Sequence, residues 1–380
     1  MKSIVRMALI CAILVTCLLI PNVSKATTPI NSEETLRQAI SSANSGETII
    51  LSDNITVTGP IVIDKDLTID GAGYTVTGAD EWTSISGNQT MFAAQLSGAK
   101  LTLKNINLKN GPKYGVQSYN GASVVLNNVS ITGFNYAGIL VNGGTLEIID
   151  VNLENNGTTS NKGIELDRGQ DVAVSPSLVM NGSLSSTSKD NIIYVAENAG
   201  NINIENKTST SNKIVAAGNQ IVLTDANNNV LSVSALPENT TVASGEQKVI
   251  LTINYGEKTK DILLNVGQVV SEDSIKAQLN VAEGYVIDGF YTDNQYTAKF
   301  NFNNKIDVNT TLYAKVSAEE KQEEVSNSEN TVEEENKGEK DETPKTGVAN
   351  YAGIAVLVIA ISAATRSEER RVGKECRSRW

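Results

Sequence analysis

LTLKNINLKNG at 101–111, VVLNNVSITGF at 124–134 and LEIIDVNLENN at 146–156 are one phrase said three times, offset by 23 and then 22 residues. Aligned, Leu101, Val124 and Leu146 fall in one column and Leu103, Leu126 and Ile148 in the next. Two residues ending in Asn or Asp follow, then Ile106, Val129 and Val151, then Leu108, Ile131 and Leu153. Alternation with a period of two is strand chemistry. A repeat this short stacks units that cannot bury their apolar faces alone and leaves no room for a crossover helix. A second set of phrases keeps the register: Gly115-Val116-Gln117-Ser118-Tyr119, Gly138-Ile139-Leu140-Val141-Asn142 and Gly163-Ile164-Glu165-Leu166-Asp167. Val116, Ile139 and Ile164 should point inward, with Gln117, Leu140 and Glu165 outward on the same sheet. The Gly before each strand is expected at a corner with positive φ. An antiparallel sandwich also has evenly spaced strands, but it rarely repeats in residue-level register. The fold expected is all-β: a right-handed parallel β-helix, then a small β-grasp-like module and a disordered acidic stalk.

Composition removes several function classes. The 380 residues contain no His, so a His-based triad and the commonest metal ligand are absent. Cys11 and Cys17 lie near the start and Cys376 near the end, leaving the body without a thiol or disulfide. The net charge is −12, and removing +3 contributed by each end leaves −18 for the middle. Such a charge argues against nucleic acid and anionic lipid as partners. No cofactor and no metal ligand set are expected.

Residues 1–26 read as a secretory signal: Lys2 and Arg6, an apolar run from Met7 to Ile20, and cleavage between Ala26 and Thr27. A lipoprotein reading through Cys17 is disfavoured by the apolar residues that follow it. Asn31 and Glu34 have capping-box spacing ahead of Leu36, Ala39, Ile40 and Ala43, which predicts an amphipathic helix ending near Ser45-Gly46. It should cover the open end of the first coil. Strands follow at Thr48–Leu51, Ile61–Ile63, Leu67–Ile69 and Tyr74–Val76. This opening, with Ile69-Asp70-Gly71-Ala72-Gly73-Tyr74, resembles the start of pectate-lyase-like β-helices, and is similar above all to the adhesive domains of Gram-positive surface proteins. The resemblance covers roughly residues 31–235 of a region delimited as 27–236.

Looser strands at Ile192–Val195, Gly200–Ile204 and Ile214–Thr224 lead to an exit near Asn227–Gly245. Residues 237–316 then resemble the internalin-type B repeat, or Listeria–Bacteroides repeat. The carrying features are strands at Val249–Tyr255 and Ile262–Val266, a short helix capped by Ser271, and the phrases Gly289-Phe290-Tyr291, Phe300-Asn301-Phe302 and Thr310–Lys315. Phe290 stands where that family usually has Trp, and its aromatics are expected to pack a core.

Residues 317–342 form an acidic spacer; between Glu319 and Glu342 there are eleven acidic and three basic residues, a composition that stays disordered and extended. Thr343-Pro344-Lys345-Thr346-Gly347, followed by an apolar run at 351–364 within a 343–365 signal, resembles a sortase sorting motif of the Leu-Pro-X-Thr-Gly type. Thr343 replaces the usual Leu. The resemblance implies cleavage after Thr346, linkage to peptidoglycan, and only transient membrane contact through 351–364. A plain membrane helix is the alternative reading of that run. Residues 366–380 resemble a translated sequencing adapter and carry no argument.

A β-helix also serves polysaccharide lyases and hydrolases, so chemistry must be sought. Glu165, Asp167, Arg168 and Asp171 are the best acid–base candidates, because Glu165 and Asp167 share a strand face with carboxyls about 6–7 Å apart. Neighbouring columns bring Gln117, Tyr119, Leu140 and Asn142 and no further acid, so no catalytic residue is assigned. The expected function is a secreted, wall-anchored adhesin or recognition protein, with sortase, peptidoglycan and a glycan or host-surface ligand as partners. Its expected binding face is Gln117, Tyr119, Asn142, Glu165 and Asp167. A wall-anchored lyase or hydrolase and a structural wall spacer are the alternatives.

Overall fold

The structure is a computed structural model. It describes residues 28–319 apart from 86, 158–161, 170, 188–191, 209–210 and 244–246, all within one compact unit. The Ala26–Thr27 cleavage position, nearly all of the acidic spacer, the sorting motif Thr343–Gly347 and the apolar run at 351–364 lie outside the described residues. Among those residues no helix is long and apolar enough to cross a membrane.

The chain is nearly all β, and its first two sheets are parallel, as the repeated phrases require. Strands are numbered in chain order. The longer sheet runs β1 (Thr48–Ile50), β4 (Leu67–Asp70), β7 (Lys100–Gly111), β9 (Ser123–Phe134), β11 (Thr145–Glu154), β13 (Ser177–Ser186), β15 (Asn201–Asn206) and β19 (Thr241–Ala243). β2 (Ile55–Val57) and β5 (Thr75–Gly78) join at its side. The second sheet runs β3 (Ile61–Ile63), β6 (Thr90–Ala94), β8 (Tyr114–Tyr119), β10 (Ala137–Asn142), β12 (Lys162–Asp167) and β14 (Ile193–Val195). Each of the first six coils therefore contributes one rung to each sheet, the arrangement of a parallel β-helix.

The columns read from the sequence are columns in space. Leu101 pairs with Val124 and Val124 with Leu146, while Leu103, Leu126 and Ile148 stack beside them. Ile69 precedes Leu103 and Met180 follows Ile148 in the same column, extending it to five coils. Phe92, Val116, Ile139, Ile164 and Ile193 form the facing column. All of these residues belong to one continuous buried core. Each repeated phrase is a single long strand, and the first two are bent at their polar pair. Asn105 and Asn128 make the bend by adopting positive φ, which Asn tolerates better than most residues.

Two local expectations are corrected. The first helix, α1 (Glu33–Ser42), is capped by Ser32 paired reciprocally with Thr35, not by Asn31 with Glu34. It still covers the first coil, burying Leu36 and Ile40. Gly115, Gly138 and Gly163 do not have positive φ. They are needed for close approach: a Cβ would lie 2.8 Å from Ile131 Cγ2 at Gly115, 3.1 Å from Asn156 Nδ2 at Gly138 and 2.7 Å from the Ile192 carbonyl oxygen at Gly163.

At the far end the chain turns antiparallel. β16 (Lys213–Ala217), β17 (Gln220–Thr224) and β18 (Val230–Ala235) form a meander. One side, Ile214, Ile221 and Leu223, completes the β-helix core. The Asn206 side chain closes the join by accepting from Ile214 N–H and donating to Ile214 C=O, both at 2.9 Å. The other side, Val215, Ala217 and Val222, packs on Ile250 of β20 (Gln247–Tyr255). Asn309 fastens this seam, donating to Ala217 C=O and Gln220 Oε1 and accepting from Ile250 N–H.

Beyond the seam, β20 pairs antiparallel with β21 (Lys258–Asn265) and parallel with β23 (Thr310–Ala318), whose other neighbour is β22 (Tyr285–Tyr291). A short helix, α2 (Glu272–Lys276), capped by Ser271, buries Ile275 beneath them. Phe290 is fully buried and meets Phe302 edge-on at 5.5 Å, so the aromatics pack a core as expected.

Candidate functional site

The outer face of the second sheet begins with a break in alternation. A Cβ on Gly115 would point at Ile131 and Phe134 inside the core, and the next residue, Val116, is itself buried there. Two consecutive inward positions put Tyr114 and Gln117 on the same outer side. The same offset puts Lys162 beside Glu165, because Tyr114, Ala137 and Lys162 share one row and Gln117, Leu140 and Glu165 the next. Tyr194 continues the Glu165 row on β14.

These rows build a closed polar cluster. The Lys162 ammonium lies 3.2 Å from Glu165 Oε1 and donates to the Tyr136 hydroxyl at 2.9 Å. It sits 3.6 Å from the Tyr194 ring centroid and 4.4 Å from that of Tyr136, within cation–π range. Tyr114 donates to Glu165 Oε2 at 2.8 Å and meets the Tyr136 ring edge-on at 5.4 Å. The Lys162 and Glu165 side chains are only 9% and 7% exposed, so both charges depend on each other and on the rings. Burial pulls the Lys162 pKa down, but the Tyr136 hydroxyl and the Glu165 carboxylate outweigh it and leave it raised. Burial, reinforced by the Glu165 carboxylate, pushes the Tyr114 phenol strongly upward. Lys162 is therefore held protonated and Tyr114 neutral.

Of the expected binding face, Gln117 and Glu165 are nearly buried, with Thr90 Oγ1 3.5 Å from Gln117 Oε1. Tyr119, Asn142 and Asp167 form the third row, half-buried at the corner. There Asn142 Oδ1 accepts from Gly169 N–H at 2.8 Å, and Asp167 Oδ1 from Arg168 N–H at 2.6 Å. The acid–base candidates do not converge: both Glu165 oxygens are occupied, Asp167 holds a turn, the Arg168 guanidinium lies against Gly200, and Asp171 is exposed. Sequence reasoning missed Tyr114, Tyr136, Lys162 and Tyr194. The signal was present for two of them. A Gly followed by an inward aliphatic residue shifts parity, which places Lys162 with Glu165 and Tyr114 with Gln117.

Comparison with protein-family models, with curated proteins and with solved structures finds no match to this chain.

Proposed function

We propose that the protein is a secreted surface protein, linked to peptidoglycan by a sortase, whose β-helix recognises a glycan or a host surface. The observation that supports recognition is the locked Lys162–Glu165 pair with its three tyrosines. Rings already fixed in place lose little rotamer freedom on binding, and Tyr114, Tyr136 and Tyr194 are each only half-buried, which leaves part of each ring open to a sugar. Tyr119, Asn142 and Asp167 beside them supply hydrogen-bonding groups. The alternative of a wall-anchored lyase asks for a deprotonated base, and a raised Lys162 pKa with a fully engaged Glu165 works against it. Display and anchoring rest on the leader and on Thr343–Gly347.

A glycan array probed with the full-length protein and with Tyr194→Ala tests recognition. Retention of specific glycans by the unmodified chain, weakened at least tenfold in the variant, is expected. Cleavage of an acidic polysaccharide would favour the enzyme, and no retention at all the spacer. Anchoring is tested separately, with a basic tail restored after Ala364: wall-bound protein should resist boiling detergent and be released by muralidase. Thr346→Ala should abolish that linkage, and release of the unmodified chain by detergent alone would overturn it.

A further inference from the structure

The strand order of the last sheet fixes how the module beyond the seam carries a pull. β21 takes one edge of β20 along nearly its whole length, from Lys248–Asn265 to Tyr255–Lys258, so β16 and β23 share the other edge. β16 holds the start of that edge, with Ala216 and Ala217 in register with Gln247 and Lys248. β23 holds the rest in five parallel pairs, from Leu251–Thr310 to Tyr255–Ala314. Asn309 stands in the gap between the two and bonds on both sides of it. Toward the β-helix it donates to Ala217 C=O at 3.1 Å and to Gln220 Oε1 at 3.0 Å, and on β20 it accepts from Ile250 N–H at 2.9 Å.

The chain enters β20 at its first residue, straight after β19 of the β-helix, and leaves the module from the last residue of β23. In a parallel pair those two ends lie at opposite ends of the contact. A pull between the β-helix and the C-terminal side therefore drives β20 and β23 past one another along their length. All five pairs resist together. In an antiparallel pair the same two chain ends would lie side by side, and the pull would open the bonds one after another. Leu251, Ile253, Leu312 and Ala314 are fully buried, so water cannot readily replace a bond of this pair as it lengthens. Sliding β23 toward its end also widens the gap that Asn309 bridges.

We propose that β20, β23 and Asn309 form a mechanical clamp, loaded in shear when a ligand holds the β-helix and the wall holds the C-terminal side. The source of the load rests on the surface reading above, whereas the shear geometry belongs to the fold and is tested without ligand or wall. Forced unfolding follows the height of the unfolding barrier, so the clamp shows itself as a rupture force that depends on the direction of pulling.

The test is single-molecule pulling of the full-length protein, with Cys11, Cys17 and Cys376 replaced by Ser and handles attached through introduced cysteine pairs. Gln247→Cys with Glu319→Cys shears β20 against β23, while Glu257→Cys with Glu319→Cys peels the same strands apart from their shared end. All three positions are exposed. At one loading rate the shearing pair should rupture at a force at least twofold higher than the peeling pair, releasing roughly 250 Å of chain. Asn309→Ala should lower the shearing force and leave the peeling force unchanged. Equal forces in the two directions, or a shearing force that Asn309→Ala does not lower, would overturn the proposal. Failure of glycan or wall attachment in the earlier tests would remove the source of the load and leave this contrast intact.

Discussion

The two outer sides of the β-helix treat polar groups in opposite ways. Around Lys162, both charges and the Tyr114 and Tyr136 hydroxyls have partners inside the protein, and the Lys162 and Glu165 side chains are nearly buried. At the bend by Asn105 and Asn128, polar side chains line an open groove. The first arrangement is costly to disturb and holds its rings still. The second costs little because water satisfies it, and it leaves hydrogen-bonding capacity for a ligand.

Four expected outcomes sharpen or break that contrast. The largest is Glu165→Ala, which strands a buried ammonium and should cost about 3–5 kcal/mol in urea unfolding. Replacing both partners, Lys162→Met with Glu165→Leu, should cost much less; equal costs would mean that the pair is not a unit. Gly163→Ala comes next, at about 1–3 kcal/mol, because its methyl meets the Ile192 carbonyl oxygen at 2.7 Å. A neutral result there would undo the explanation for the row of glycines.

On the open side Asn128→Ala should cost only about 1 kcal/mol, through one exposed hydrogen bond and a positive φ of 56°. A loss as large as that of Glu165→Ala would erase the contrast. The smallest effects are those of pH. Burial pulls the Asp70 pKa up, but Ala72 N–H, Lys104 and Asn105 outweigh it and leave it lowered from 3.8. Its stabilisation is complete above that value and lost as pH falls through the lower folded one, by a few tenths of a kcal/mol for so exposed a pair. Lys162, raised from 10.5, behaves oppositely: its contribution is intact below 10.5 and lost as pH rises through the folded value. Melting curves should therefore show an alkaline limb that Glu165→Gln flattens.

The β-helix was legible because burial repeats where spacing repeats: a Leu101–Val124–Leu146 column cannot be shifted by one residue without turning its apolar side to water. The three phrases with Gly115, Gly138 and Gly163 revealed which residues share rows, but not that the rows begin with two inward positions. That offset depends on how closely neighbouring coils approach, which no single strand encodes. Tyr136 and Tyr194 were illegible for a related reason. Tyr136 sits in a connection and Tyr194 in a short rung among irregularly spaced strands, so neither belonged to the repeated pattern.

A stack of parallel coils has no natural last member, since each rung is a template for the next. Here α1 occupies one end, and the Ile214–Leu223 side of the meander, braced by the Asn206 side chain, occupies the other. The meander is thus a growth terminator as much as a connector. A chain ending before Lys213 would present a bare rung of the right shape and spacing for another copy, and end-to-end filaments would replace single molecules.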